Sequence, residues 1–260
     1  MRLAGWMVGN LMVLGAASGA QAQDEARRGQ AFGPGEQATY RISYLGLTAG
    51  TAQVTVGAEM KQWGKEVWPI VATARSESVV DVYPIRDKFV SYWDDREQRT
   101  IGSDLFADEN RKKRRQRIRL DGTSATVTRQ KEGGDEAEET RDVPEQTLDM
   151  AAVAFKLRNL ELEVGREFEL PVFTGLKVFD MKAAVEATET ISTPLGDREV
   201  FRVRVSTDFS GKLAAKRDMV AYFTTDGRHV PVKVEAEFLL GSIVGELTRY
   251  EPGRDGAPGT

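Results

Sequence analysis

The stretch Thr193-Pro194-Leu195-Gly196-Asp197-Arg198-Glu199-Val200-Phe201-Arg202-Val203-Arg204-Val205 decides the fold class. Phe201, Val203 and Val205 alternate with Arg202 and Arg204, so a period of two puts the apolar set on one face of a strand and the arginines on the other. Thr193 to Gly196 reads as the turn ahead of it, since proline presets φ and glycine accepts the reversal. Downstream, Asp226-Gly227 marks another turn. Val230, Val232, Val234, Ala236 and Phe238 then alternate with His229, Pro231, Lys233, Glu235 and Glu237, and glycines punctuate a hairpin from Leu239 to Thr248. Slipping either strand by one residue would bury charge, so the register is specified and one face of the sheet is wet. From Thr193 to Tyr250 the chain reads as consecutive antiparallel strands.

The same grammar extends toward the N-terminus. Tyr40, Ile42 and Tyr44 alternate with Arg41 and Ser43, and beyond Gly46 to Gly50 the series Ala52, Val54, Val56 makes a hairpin partner. Trp68, Ile70, Ala72 and Ala74 supply a third strand, and Phe89 to Trp93 resumes strand character after Asp81-Val82-Tyr83-Pro84, where proline breaks regularity. Asp121-Gly122 turns a hairpin between Arg117 to Leu120 and Ala125 to Thr128. Phe168 to Val172 and Leu176 to Val185 open two further strands. One helix is expected, Thr147 to Leu160, with Thr147 as its cap and Asp149 in its first turn. Leu148, Ala151, Ala152, Phe155 and Asn159 follow one face, and Lys156 and Arg158 lie near the negative pole. Its apolar face must dock. The expected fold class is therefore mainly β: an antiparallel barrel-like or half-barrel sheet with one docked α-helix.

At 260 residues, with 40% hydrophobic and 29% charged, the chain has the makings of one globular domain. Met1-Arg2, the apolar run Leu3 to Leu14 and the Ala20-Gln21-Ala22 site form a three-part export signal over residues 1–22, cleaved after Ala22. The apolar run is too short for a membrane span. A flexible lead-in is expected over 23–34, a single β-rich domain over 35–252 and a disordered tail over 253–260. With no cysteine there is no disulfide, thiolate metal site, cysteine nucleophile or lipidated cysteine anchor, so a periplasmic protein would rest on core packing and strand pairing. A net charge of -4 gives no reason to expect nucleic acid.

Two charge runs stand out. Arg111, Lys112, Lys113, Arg114, Arg115, Arg117 and Arg119 fall within nine residues, and Glu132, Asp135, Glu136, Glu138, Glu139 and Asp142 follow. They read either as solvated surface segments that attract one another or as an anion-binding or partner face for lipid phosphates or acidic glycans. His229 is the sole histidine and reads as an exposed turn-edge residue. Asp94-Asp95 are adjacent carboxylates at a strand end, which does not place them across a cleft. No metal-ligand spacing or phosphate-cradling loop appears, so no catalytic residue, metal or cofactor is assigned. Tyr40, Tyr44, Trp68, Trp93, Phe155, Phe201 and Tyr222 sit in elements able to line a curved sheet, as core or as the walls of a ligand pocket.

Gly35-Glu36 before Tyr40, Leu45-Gly46 with Ala49-Gly50, Pro144-Glu145 to Asp149, Lys156-Leu157-Arg158, Gly165 with Leu170-Pro171-Val172, Thr193-Pro194-Leu195-Gly196, and Thr225 to Arg228 with Pro231-Val232 form a set. Together they resemble an exported bacterial family catalogued as domain of unknown function 3108, over about Gly35 to Tyr250. The resemblance implies a β-rich, barrel-like periplasmic structure and brings no activity or catalytic residue with it. The basic and acidic runs lie outside the matched pattern. Three functions remain: a non-enzymatic periplasmic binding or carrier protein for a lipid-like or glycoconjugate ligand, an envelope assembly factor acting through protein partners, and a hydrolase.

Overall fold

The computed structural model describes residues 31–76, 84–109, 112–207, 219–238 and 241–254. The stretch expected to be an export signal, most of the expected lead-in, Arg111 and the residues beyond Arg254 lie outside the described residues. Fifteen strands are present: β1 (Gln37–Tyr44), β2 (Leu47–Val56), β3 (Met60–Gln62), β4 (Lys65–Ser76), β5 (Arg86–Asp94), β6 (Arg99–Glu109), β7 (Lys112–Asp121), β8 (Ser124–Lys131), β9 (Glu136–Asp142), β10 (Glu167–Phe173), β11 (Val178–Thr193), β12 (Gly196–Thr207), β13 (Met219–Thr224), β14 (Pro231–Phe238) and β15 (Gly241–Glu251). One helix among the described residues, α1 (Met150–Arg158), interrupts them.

All are antiparallel in one sheet, ordered β10-β11-β12-β13-β14-β15-β1-β2-β4-β5-β6-β7-β8-β9, with β3 paired to β4 on the side. The chain is thus two meanders joined through β15 and β1, and the sheet stays open between β9 and β10. The alternation around Phe201 does what it promised: Val203 and Val205 are buried, and hairpin β11–β12 closes at Thr193↔Gly196 with Gly196 at φ 91. Hairpin β7–β8 turns at Asp121↔Ser124, and the sheet curls so that its two ends meet through side chains. Ile118, Ala125 and Val127 pack with Phe173, and Gln116 donates to the Thr174 carbonyl.

Helix α1 lies inside the curl and packs on β10, β4, β5 and β6. Its cap differs from the expectation: Asp149, not Thr147, accepts from the N–H groups of Ala151 (3.0 Å) and Ala152 (2.9 Å), and Thr147 donates its hydroxyl to the Pro144 carbonyl (2.6 Å). A parallel bridge, Leu148↔Val172, holds the preceding residues against β10, which shortens the helix at that end.

Within the stretch expected to be a flexible lead-in, Ala31 and Phe32 are core: Phe32 packs edge-on against Trp68, Trp93 and Phe155 at 6.2, 5.7 and 4.6 Å. Within the expected tail, Arg254 still donates its N–H to the Pro34 carbonyl. The acidic run is partly strand. Glu136 to Asp142 form edge strand β9 beside β8, since backbone pairing needs no apolar face and charge protects an edge.

Candidate functional site

Nine residues of helix cannot fill a curl this wide, because a helix is about 10–12 Å across while each strand adds about 4.8 Å. On the β4–β6 side the interior is solid: Trp68, Ile70, Trp93 and Phe32 are all buried in one cluster with Ala152, Phe155 and Leu157. On the other side a cavity of about 300 Å³ remains between the helix and strands β1, β2 and β11 to β14. Met150, Val153, Ala154 and Leu157 form its helical wall, and Ala38, Tyr40 and Val54 stand opposite. Met181, Val205, Met219 and Ala221 complete the apolar lining, and it opens to water where Met150 and Val234 surface. Small residues create the space: alanines at 38, 154 and 221 stand where larger side chains would close it.

The base of the cavity is a buried ion pair. Arg158, at the end of α1, donates to both oxygens of Glu36 at 2.6 and 2.9 Å, and both side chains are almost wholly enclosed. Its Nη2 also reaches the Ala31 carbonyl (3.0 Å) and its Nε the Arg228 carbonyl (3.1 Å). The guanidinium lies over the rings of Phe32 and Phe155 at 5.3 and 5.2 Å. Tyr250 donates its hydroxyl to Glu36 (3.1 Å), and burial, aided by the Glu36 charge, pushes its pKa up to about 12. Tyr40 donates to the Pro231 carbonyl (2.9 Å), and burial raises its pKa further still. Four hydrogen bonds and two ring faces engage Arg158. The base therefore offers no free charge to a ligand, only a neutralised pair beneath apolar walls.

Beside the helix start lies a second polar knot. Thr100 donates to Asp149 (2.9 Å) below the two capping N–H groups, and burial raises the Asp149 pKa against those bonds. Asp94 caps its own turn by accepting from the N–H groups of Arg96 and Glu97, and Gln98 donates to Asp95. His229, at φ 41, is half-buried rather than exposed: its Nδ1 donates to the Arg158 carbonyl (2.9 Å) and its ring meets Phe201 edge-on. The helix end leaves that carbonyl without an intrahelical partner, which accounts for the correction. Among the described residues no group of three or more histidine, aspartate or glutamate side chains is disposed to hold a metal ion.

The seven aromatics do not form one site. Tyr40 and Phe155 line the cavity. Trp68 and Trp93 belong to the solid core, and Phe201 packs against it. Tyr222 lies elsewhere, under Lys233 and hydrogen-bonded to Glu235, and Tyr44 ends β1 opposite Leu47. Of the basic run, Arg111 lies outside the described residues. Lys112 pairs in register with Glu109, Lys113 bridges to Glu132 at 3.7 Å, Arg114 to Glu109 at 3.2 Å, Arg117 to Asp104 at 2.8 Å and Arg119 to Asp121 at 4.0 Å. Arg115 lies over Phe106. Arg115, Arg117 and Arg119 line a polar hollow of about 590 Å³ with Glu136 and Glu138, on the face opposite buried Ile118. Sequence reading missed Glu36, Arg158 and the alanines. Glu36 and Arg158 stand in two of the family-like stretches, which meet only in the fold.

The family described as "Protein of unknown function (DUF3108)" matches residues 39–248. No curated protein matches significantly. Among solved structures, a β-barrel-like protein of domain of unknown function DUF1849 from Brucella abortus aligns at a TM-score of 0.57 and 10% identity, over 84% of this chain and 97% of that one. A protein from Bacteroides fragilis described as exported and of YmcC-like fold aligns at 0.33 and 10%, over 85% and 97%. One from Parabacteroides distasonis described as a lipoprotein aligns at 0.36 and 12%, over 86% and 99%. The first is similar in fold, and the other two scores are too low to argue from. No helix among the described residues is long and apolar enough to cross a membrane.

Proposed function

The chain belongs to the DUF3108 family, and from that footing we propose that it is a non-enzymatic binding or carrier protein of the cell envelope, exported by its N-terminal signal, for a ligand with an apolar chain. The observation that carries this reading is the cavity: about 300 Å³, apolar on every side, above a base whose only charges cancel. That volume is at the lower end of small-ligand sites, suited to one chain rather than a bulky ring system. An ionised headgroup would find no counter-charge beneath it and would lose its hydration, so the ligand enters tail first and leaves its polar end at the mouth. A lipid or the lipid part of a glycoconjugate has this form.

The test is native mass spectrometry of protein recovered from its own periplasm, together with displacement of a fluorescent fatty acid. A co-purifying hydrophobic ligand is expected, and Ala154→Phe should weaken fatty acid binding about tenfold or more by filling the cavity. Ligand-free protein that ignores the probe would remove the proposal. A second reading, an assembly factor acting through protein partners, draws on β9, whose outer backbone edge carries no further strand. Crosslinking from Glu138 in cells distinguishes it: capture of one envelope protein favours it, and no capture counts against it.

A further inference from the structure

The apolar interior continues beyond the cavity. In an antiparallel sheet directly paired residues share a face, and so do residues two apart on one strand. Val234, on the cavity wall, pairs with Gly245, and Gly245 with Ile42. Two residues further along, Ala236 pairs with Ile243, Ile243 with Tyr44, and Tyr44 with Leu47. An uncharged strip thus runs from the cavity along the inner face to the tip of hairpin β1–β2. There water reaches it: Ile243 is 39%, Leu45 60% and Leu47 72% exposed.

The tip is built at a cost that the sheet does not require. Leu45 at φ 51 and Gly46 at φ 79 are both left-handed, the conformation of a type I′ turn, in which asparagine or glycine is favoured at the first position and a bulky side chain is strained. The Leu45 N–H donates to the Ser242 carbonyl (3.0 Å), which any residue but proline would do. Strain and apolar exposure coincide at one residue, the kind of coincidence that marks a functional surface. From Ile42 to Ala58 the sequence carries no charged residue, although 29% of the chain is charged, so desolvating this tip strips water from no ion. Tyr44 sits just behind the leucines, as aromatics do at a bilayer interface. The tip is narrow, whereas a stable protein interface needs about 800 Å² from each partner. Two leucines inserted among acyl chains need no such area.

We infer that hairpin β1–β2 docks this protein on a lipid bilayer, with Leu45 and Leu47 among the acyl chains and the inner-face strip as the path between bilayer and cavity. The inference rests on the cavity being an acyl site, and one experiment separates the two. Protein recovered as the cell processes it, and its Leu45→Asn/Leu47→Ser variant, are floated with phosphatidylcholine vesicles and titrated with a soluble fluorescent fatty acid. Asparagine suits the turn better than leucine, so the variant should melt no lower than the parent. Its vesicle partitioning should fall about tenfold or more while fatty acid binding is unchanged. A parent that does not float, or a variant that floats equally well, overturns the docking tip and leaves the cavity standing. Flotation lost in the variant with fatty acid ignored by both proteins supports the tip and removes the cavity proposal.

Discussion

Replacing Arg158 by methionine tests the architecture at its most loaded point. The side chain fits the same enclosed channel between Phe32 and Phe155, so the change removes charge and donors more than volume. What it leaves is a Glu36 carboxylate enclosed in protein with only the Tyr250 hydroxyl beside it, and Ala31 and Arg228 carbonyls without their donor. Breaking a buried pair by removing one partner costs about 3–5 kcal/mol, and the orphaned carbonyls belong to the same loss rather than adding to it in full. About 4 kcal/mol is expected by urea denaturation, or about 8–16 °C in melting temperature at 2–4 °C per kcal/mol for a chain near this size. Glu36→Gln/Arg158→Met removes both charges and should recover part of the loss, with a coupling of about 2 kcal/mol or more. A single variant that costs under about 1 kcal/mol, or a double variant as costly as the sum of its singles, would refute the view that this pair closes the base.

Asp149→Ala should cost about 1–2 kcal/mol by denaturation as the two capping bonds vanish, whereas Asp149→Asn keeps an acceptor and should lose less. Burial raises the Asp149 pKa, so its share of stability declines as pH rises above about 4, and the asparagine variant should flatten that slope. Tyr250, with its pKa pushed up to about 12, favours the fold fully below pH ~10 and progressively less as pH climbs toward 12; Tyr250→Phe should lose that alkaline slope, read from melting curves across the range.

Strands with a wet face and a dry face were open to reading from sequence because their residues alternate. β12 with Phe201, Val203 and Val205 is the clearest case, and β1, β4 and β14 follow it. β6 was not, because its inward positions are polar: Thr100 and Ser103 are buried, and Thr100 serves the helix cap. β9 was not, because Glu136 to Asp142 contain nothing apolar beyond Ala137 and the strand exists through backbone pairing to β8. Arg158 read as an ordinary charge at a helix C-terminus, since nothing local reveals a partner 122 positions away. Phe32 was lost among glutamines and arginines for the same reason. Whether the interior is filled or hollow depends on the sizes of side chains from α1, β1 and β13 that face one another, Ala154, Ala38 and Ala221, and their facing is a tertiary fact.

The buried pair also closes the base of the cavity. A pair of this kind adds little net stability over apolar residues of equal volume, so its retention points to geometry. Arg158 ties together three segments: Ala31 and Glu36 ahead of β1, the end of α1, and the Arg228 turn between β13 and β14, and Tyr250 of β15 reaches the pair through Glu36. His229 completes the tie by bonding the Arg158 carbonyl. These bonds lock the helix to one rim of the curl. The helix start is anchored to other walls, Asp149 taking the Thr100 hydroxyl of β6 and Leu148 bridging to Val172 of β10. Neither anchor lies on β13 or β14, and the gap lies on that side, where Met150 meets water. The walls of that gap are the alanines and methionines of the cavity, and its open side leads along Val234, Ile42 and Ile243 to Leu45 and Leu47. Closure at the base thus follows from where the chain placed Arg158, and access from the small and uncharged residues that line the open side.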